Sequence, residues 1–252
     1  MTRFTIATWN VNGIRARHAE VLQWIERERP HVVCLQEIKA APGQIPADLS
    51  EMPGYWCYWH GGKGYSGVGL HVRKDLAPEC PRFFHPDFDL EHRIVAAEIA
   101  GATVASIYVP NGGKDFSAKV GFLQAMDAYT AELLSAGKPA VLCGDLNVTL
   151  TERDVHPKER KPRAIGQLPE ERALLTHLIS HGLTDVGRAL DPENDRLFTW
   201  WAPWRNMRAR NIGWRLDYVL SSEPLASRAI SCAVQRDVGT SDHAPVIATF
   251  SL

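Results

Sequence analysis

The chain has 252 residues, and its 28 Lys+Arg against 29 Asp+Glu leave a formal net charge of −1. With 45% apolar and 23% charged residues, the composition is that of a soluble globular protein and excludes disordered, collagen-like and coiled-coil chains. Apolar runs such as Val-Val-Cys-Leu at 32–35 fall far short of the ~20 residues of a membrane helix, and a chain this long buries enough surface to hold a core without disulfide or metal.

In chain order, period-2 or continuous β-rich runs predict strands over residues 4–9, 31–35, 68–72, 93–99, 103–109, 140–143, 215–220 and 245–250. Helical patterns fall between them at 19–28, 119–135 and 170–180. The first stops before Pro30, the second ends at Gly137 and the third starts after Pro169. Strands outnumber helices and alternate with them, which predicts packed sheets covered by helices, an α/β or α+β sandwich. No Pro/Gly/Ser-rich linker or repeat interrupts the chain, so a single domain over 1–252 is expected.

The five cysteines are odd in number and lack CxxC spacing, and Cys34, Cys143 and Cys232 lie in apolar contexts. Buried thiols in a reducing compartment are the expectation. The first strand pattern begins by Phe4, leaving no visible signal peptide, so the location expected is cytoplasmic. Charge is uneven despite its neutral sum. Residues 200–215 hold Arg205, Arg208, Arg210 and Arg215 with no acid, and 156–163 hold Lys158, Arg160, Lys161 and Arg163 against Glu159. Two basic loops on a neutral body predict one face for an anionic ligand.

Strand after strand ends in residues able to do chemistry. Asn10 and Asn12 follow the first, Glu37 the second, Tyr108 and Asn111 the fifth, and Asp145 and Asn147 the sixth. Asp217 lies inside an apolar strand, and Asp242-His243 precedes the last. An acid buried there without a partner costs roughly 1–3 kcal/mol, and sheet ends with their loops are where sites are assembled. Carboxylates and amides without zinc-spaced Cys or His suit a hard cation, Mg²⁺ or Mn²⁺. With a carboxylate base and a protonatable His, that set is equipped to hydrolyse a phosphodiester. No G-x-S-x-G elbow and no GxxxxGK[ST] loop is present.

The segments TWNVNGIRAR (8–17), LQEIK (35–39), GYSGVGL (64–70), YVPNGG (108–113), GDLNV (144–148), NIGWRLDYVLSS (211–222) and SDHAPV (241–246) resemble the exonuclease III family of abasic-site endonucleases. That family belongs to the endonuclease/exonuclease/phosphatase superfamily with deoxyribonuclease I. The resemblance runs from residue 4 to 250 and implies a four-layer sandwich, two packed mixed β-sheets flanked by helices. It implies a Mg²⁺-dependent phosphodiesterase, with Mn²⁺ substituting, that cuts 5′ to abasic sites and clears 3′ ends with some 3′→5′ exonuclease action. The partner would be double-stranded DNA carrying abasic sites or blocked or recessed 3′ ends. A monomer is expected, nucleoid-associated in a bacterial cytoplasm and without a membrane partner.

Residue by residue, the resemblance makes Glu37 the principal metal ligand, with Asn10, Asn12 and Asp242 nearby or through water. Asp145 would position and activate water with help from Asn147. His243, paired to Asp217, would donate to the scissile phosphate, and Tyr108 would contact that phosphate or the leaving oxygen. Arg15, Lys39, Gly64, Tyr65, Arg93 and Asn111 match DNA-contacting positions, and Arg205 and Arg208 lie in a loop suited to the minor groove. Trp200, Trp214 and Leu216 match the apolar pocket for a flipped-out abasic sugar, whereas Trp201 reads as core packing.

Two departures bear on the balance of activities. In the run Arg163-Ala164-Ile165-Gly166-Gln167, Ile165 toward the pocket would favour 3′-end trimming, whereas Gly166 there would leave it open. After Asn111, the short Gly112-Gly113-Lys114-Asp115 leaves room for only a small DNA wedge. The competing readings are a lipid or inositol phosphatase of the same superfamily, a catalytically silent DNA-binding module, and a 3′-end processor with little endonuclease activity.

Overall fold

Apolar residues that bury both faces of a strand need a covering layer on each side, and among the described residues twelve strands meet that need as two six-stranded sheets. The computed structural model describes residues 3–251. The first sheet holds β1 (Arg3–Asn10), β2 (Val32–Gln36), β3 (Tyr55–His60), β4 (Val68–Arg73), β11 (Ala229–Val234) and β12 (Val246–Ser251), in the order β11-β12-β1-β2-β4-β3. The second holds β5 (Phe83–Phe84), β6 (Ile94–Ile99), β7 (Ala102–Tyr108), β8 (Ala140–Asp145), β9 (Leu183–Asp185) and β10 (Asp217–Ser222), in the order β5-β6-β7-β8-β10-β9. Each sheet is mixed. β1 and β2 are parallel in one, β7 and β8 in the other, and the remaining pairs are antiparallel.

The helices α1 (His18–Glu28), α2 (Ala47–Ser50), α3 (Phe116–Ser135), α4 (Pro169–Ser180), α5 (Val186–Leu190) and α6 (Glu223–Ala226) complete the order. Val21, Trp24 and Ile25 of α1 pack with Ala7, Trp9, Val33 and Leu35 on the outer face of the first sheet. Leu123 and Met126 of α3 and Leu175 and Leu178 of α4 cover Ile107, Leu142 and Leu220 on the outer face of the second. Between the sheets, Ile6, Cys34 and Leu70 meet Val104, Val141, Cys143 and Val219. The result is the expected four-layer sandwich.

The three long helices and eight of the strands fall where the sequence pattern predicts, within a few residues. Pro30 and Gly137 act as foreseen. Arg29 ends α1 with its amide on the Ile25 carbonyl, and Gly137, in the left-handed region, closes α3 on Leu134. The strands not anticipated, β3, β5, β9 and β11, are sheet-edge elements. β3 is Tyr-Trp-Cys-Tyr-Trp-His, which has no polar alternation to announce it, and β5 and β9 are only two and three residues long.

The inter-sheet core changes character along its length, and that change creates the site. Side chains of one strand face alternate sides, so the inward column Ile6-Thr8-Asn10 runs from apolar to polar, as do Cys34-Gln36 and Val104-Ser106-Tyr108. At mid-depth Thr8 donates to Gln36 Oε1 (3.1 Å) and Gln36 Nε2 donates to Ser106 Oγ (3.0 Å), a polar rung joining the two sheets. Beyond it, at the carboxyl ends of both parallel pairs, lie Asn10, Glu37, Tyr108 and Asp145. Register places Tyr108 beside Asp145 and Asp145 beside Asp217 across three neighbouring strands.

Candidate active site

Asp145 terminates β8 and is 1% exposed. Gly144 before it has φ +151°, and a Cβ there would meet the Ile107 carbonyl oxygen at 1.8 Å, so only glycine lets β8 turn this close to β7. Three donors hold the Asp145 carboxylate. Asn147 N reaches Oδ1 (2.9 Å), while Asn10 Nδ2 (2.9 Å) and Asn147 Nδ2 (3.2 Å) reach Oδ2. Asn147 Nδ2 also donates to the Val109 carbonyl at 2.9 Å, which fixes the amide's orientation.

His243 is 5% exposed and sits between two carboxylates. Its Nδ1 is 2.8 Å from Asp217 Oδ2 and its Nε2 is 3.7 Å from Asp145 Oδ2. Burial alone would lower the imidazole pKa, but the charges of Asp217 and Asp145 outweigh it and raise it to about 10. The two carboxylates thus favour the imidazolium over the neutral ring. Burial pushes the Asp145 carboxyl up to about 7, helped by Asp217 and Glu37 and opposed by His243, a value suited to a proton acceptor. Asp217 is held through its backbone. The amides of Leu216 and Asp217 both donate to Thr199 Oγ1 at 3.0 Å, while Asp217 Oδ1 is buried with no hydrogen-bond partner. The three donor atoms of Asp145, Asp217 and His243 lie within 4.8 Å of one another, spacing that also fits a divalent ion.

Glu37 lies across the cleft. Its Oε1 accepts the Tyr108 hydroxyl and its Oε2 is 3.1 Å from Lys39 Nζ. Burial, then the negative charges of Glu37 and Asp145, drive the Tyr108 pKa up, so it stays a proton donor. Lys39 Nζ also donates to Asn12 Oδ1 (2.6 Å), Asn12 Nδ2 donates to Asp242 Oδ1 (2.8 Å), and Trp200 Nε1 donates to Asp242 Oδ2 (2.9 Å). Glu37, Asn12 and Asp242 thus form a chain of hard oxygen donors, with an ammonium supplying positive charge between the first two. Such donors fit Mg²⁺ or Mn²⁺ and not a thiophilic metal. Asn10 differs from its expected part. Its Oδ1 accepts the Asn12 amide (3.0 Å) and its nitrogen orients Asp145. Asn12, Glu37, Lys39 and Asn147 all adopt left-handed backbone, with φ of 45°, 51°, 51° and 51°, a clustering typical of functional sites.

The aromatic residues adjoin this centre. Trp200 and Trp214 pack edge to face at 5.4 Å between ring centroids, and Trp200 lies 6.5 Å from the His243 ring. Leu216 is buried nearby in the chain, two residues after Trp214. A Cβ on Gly166 would touch Trp214 at 3.0 Å and the Asn147 carbonyl at 3.2 Å, so Gly166 lies against the indole. The Ile165 side chain instead lies beside Gly112. Trp201, left to the core, is 1% exposed.

The residues expected to contact DNA divide in two. Arg15, Gly64, Tyr65, Asn111 and Arg205 are exposed, and Lys39 is half-buried at the cleft. Arg93 is not at the surface. It is 2% exposed and spends its guanidinium on Glu91, the Tyr65 hydroxyl and the Tyr108 carbonyl, lying 4.9 Å from the Tyr108 ring centroid. It braces Tyr65 and Tyr108 rather than meeting DNA. Arg208 donates to the carbonyls of Arg236, Val238 and Ser241, stapling the loop that presents Asp242. Arg215 is buried against Asp154 and Asp185. Of four arginines in 200–215, only Arg205 and Arg210 are exposed, so the basic face is narrower than the sequence implies.

Several supporting residues were not anticipated. Ser241 Oγ donates to the Asn10 carbonyl at 2.7 Å and ties the last loop to β1. Lys119, fully buried and ion-paired with Glu171, donates to the Asn147 carbonyl at 2.7 Å, while Glu171 accepts the amides of Gly166 and Leu168. A lysine on an apolar helix face was the available signal for that pair. Thr199 and Ser241 offered none.

The sequence profile of the endonuclease/exonuclease/phosphatase family matches residues 7–243. The chain belongs to this family. It is 36% identical over 250 residues to the DNA repair nuclease APEX1 of Danio rerio, covering 96% of this chain and 80% of that protein. Among solved structures, an AP endonuclease from Archaeoglobus fulgidus superposes with a TM-score of 0.89 at 29% identity, covering 99% of this chain and 100% of that one. A 3′ phosphatase from Neisseria, bound to a product DNA hairpin, superposes with a TM-score of 0.90 at 30% identity and the same coverage. The chain is accordingly a hydrolytic enzyme of the nuclease branch. Among the described residues no helix is long and apolar enough to cross a membrane.

Proposed function

We propose that this protein is a divalent-metal-dependent DNA-repair phosphodiesterase that cuts 5′ to abasic sites and trims or clears 3′ ends of double-stranded DNA, acting as a monomer. The observation that carries the reading is the buried cradle in which His243 lies 2.8 Å from Asp217 and 3.7 Å from Asp145, with Asn10 and Asn147 holding the latter. Asp145 faces the cleft as the group that orients water and accepts its proton, and the two amides keep its oxygens aimed. The His243 imidazolium donates to a phosphate oxygen where negative charge grows, and Asp217 keeps that proton on the ring. Tyr108 offers its hydroxyl on the Glu37 side of the same cleft. Glu37, with Asn12 and then Asp242, would hold the metal, which when bound polarises a phosphoryl oxygen.

Trp200, Trp214 and Leu216 beside His243 suit a pocket for a base-free sugar, which costs least to extrude and whose small size an apolar wall can select. Exposed Arg15, Tyr65, Asn111 and Arg205 would contact the duplex without reading sequence. Gly166 rather than Ile165 lies against Trp214, which leaves the pocket open and favours incision over a second reading in which 3′-end processing dominates.

The deciding experiment uses a labelled duplex with one tetrahydrofuran abasic analogue and a matched duplex with a recessed 3′ end, each with Mg²⁺ or EDTA. Metal-dependent incision 5′ to the analogue, lost in Asp145→Ala, is the expected result. End trimming without incision would select the second reading. Neither product would overturn both and direct the search to phosphorylated lipids.

A further inference from the structure

A second convergence of donor atoms lies on the outer helices, at the end of α4 remote from Gly166. Asp127 projects from α3, and His177 in the last turn of α4 and His181, which caps that helix, lie one turn apart on one face by the i, i+4 spacing. Asp127 Oδ1 is 2.8 Å from His177 Nδ1 and 2.9 Å from His181 Nε2, and the three donor atoms lie within 4.8 Å of one another. The two rings meet edge to face, centroids 4.9 Å apart at 81°, so both nitrogens reach one point without the rings clashing. The Asp127 and His181 side chains are 20% and 23% exposed, and His177 is 65% exposed, which leaves an open approach from solvent.

We propose that Asp127, His177 and His181 form a binding site for a divalent transition-metal ion of zinc-like preference, which clips α3 to α4. Two imidazoles and one carboxylate are the donor set such ions take, with water completing the tetrahedron, whereas Mg²⁺ and Ca²⁺ prefer oxygen alone. Ligand bonds of about 2.0–2.2 Å place tetrahedral donors about 3.3–3.6 Å apart, so the two Asp127–imidazole separations need open by about half an ångström. The site also caps the carboxyl end of α4, where the helix dipole favours a cation. Binding would replace the protons that the two imidazoles now share with Asp127.

The clip is separate from the catalytic reading and does not depend on it. It sits about 9–15 Å along the α4 direction from Glu171, yet it joins the two helices whose first turns supply Lys119 and Glu171 to the loops at Asn147 and Gly166.

The test titrates Zn²⁺ by calorimetry into the metal-free full chain in excess Mg²⁺, which occupies hard-ligand sites. Wild type should take up one zinc more than His177→Ala/His181→Ala, and Zn²⁺ should raise its melting temperature by several degrees but leave the double variant unmoved. Glu37→Gln should retain that extra zinc, which separates the clip from the catalytic cleft. In long-range ¹H–¹⁵N spectra of wild type, His177 and His181 ring signals should shift together on zinc addition. Equal stoichiometry in wild type and double variant, or unmoved ring signals, would overturn the proposal. Should the double variant fail to fold, the wild-type spectra alone decide it.

Discussion

Two buried charge clusters meet at the start of β10, two residues apart in sequence, and they are built on opposite principles. Arg215 faces Asp154, with Nε 2.7 Å from Oδ1, and forks onto Asp185 at 2.9 and 2.6 Å, while Arg188 adds a contact to Asp154 at 2.8 Å. Burial pushes the Asp154 carboxyl up, but Arg215 and Arg188 outweigh it and hold its pKa below the ordinary range. Each carboxylate faces a guanidinium and each guanidinium a carboxylate. Across the strand start, Asp217, Asp145 and His243 set two carboxylates against one imidazole, Asp145 is driven toward neutrality, and one Asp217 oxygen has no partner. The first cluster balances its charges; the second holds one carboxylate more than its cations, which under the proposed function is left for the reaction. Residue type does not distinguish them. The ratio of cations to carboxylates does.

The sharpest way to break this comparison is to exchange consequences. Asp145→Ala should lower incision or end-trimming turnover by about 10³-fold, within the range for a lost acid–base group, with a far smaller change in urea midpoint. Asp154→Ala should do the reverse. It leaves Arg215 and Arg188 short of a buried partner and should cost about 3–5 kcal/mol of stability, read from urea unfolding, with turnover per folded molecule retained. An Asp154 variant that is stable but inactive would erase the distinction between the clusters.

Acid sharpens the same point. Because the Asp154 pKa is depressed on folding, its contribution is present above the unfolded carboxylate value and is lost as pH falls through the folded one. The stability gap between wild type and Asp154→Asn should therefore be wide at pH 7 and narrow toward pH 2–3. A gap that is constant with pH would show that Asp154 acts by packing alone. The smallest effect belongs to the hinge between the clusters. Thr199→Val strands the buried amides of Leu216 and Asp217 and should cost about 1–3 kcal/mol, with a several-fold loss of turnover as the Asp217 backbone loosens. A turnover loss as large as that of Asp145→Ala would make Thr199 more than a support.

How far the sequence discloses these clusters follows from what each residue's neighbours reveal. Asp217 is visible because an acid inside an apolar strand needs a reason, and Asp145, Glu37 and His243 stand at strand ends for the same cause. Asp154 and Asp185 lie among loop and helix-start residues, where acids are ordinary, so their pairing with Arg215 is invisible until the chain folds. Arginine is the least informative type. Arg93 matches a DNA-facing position and Arg208 lies in a loop suited to the minor groove, yet their donors are spent on nearby carbonyls and side chains, a matter of loop path and not of identity. The core strands announce themselves through alternation, whereas the edge strands β3 and β11 do not, since a sheet edge is covered on fewer sides and tolerates a mixed pattern.

The left-handed backbone at Asn12, Glu37 and Asn147 sets selection for heat tolerance against selection for turnover. Each position costs a non-glycine residue about 1–2 kcal/mol that glycine would not lose. Selection for survival at high temperature alone would favour glycine only where that relief exceeds the side-chain hydrogen bonds and chain entropy lost, and would dismantle the cleft as it did so. Under selection for catalysis, these same positions should resist the change that the backbone favours.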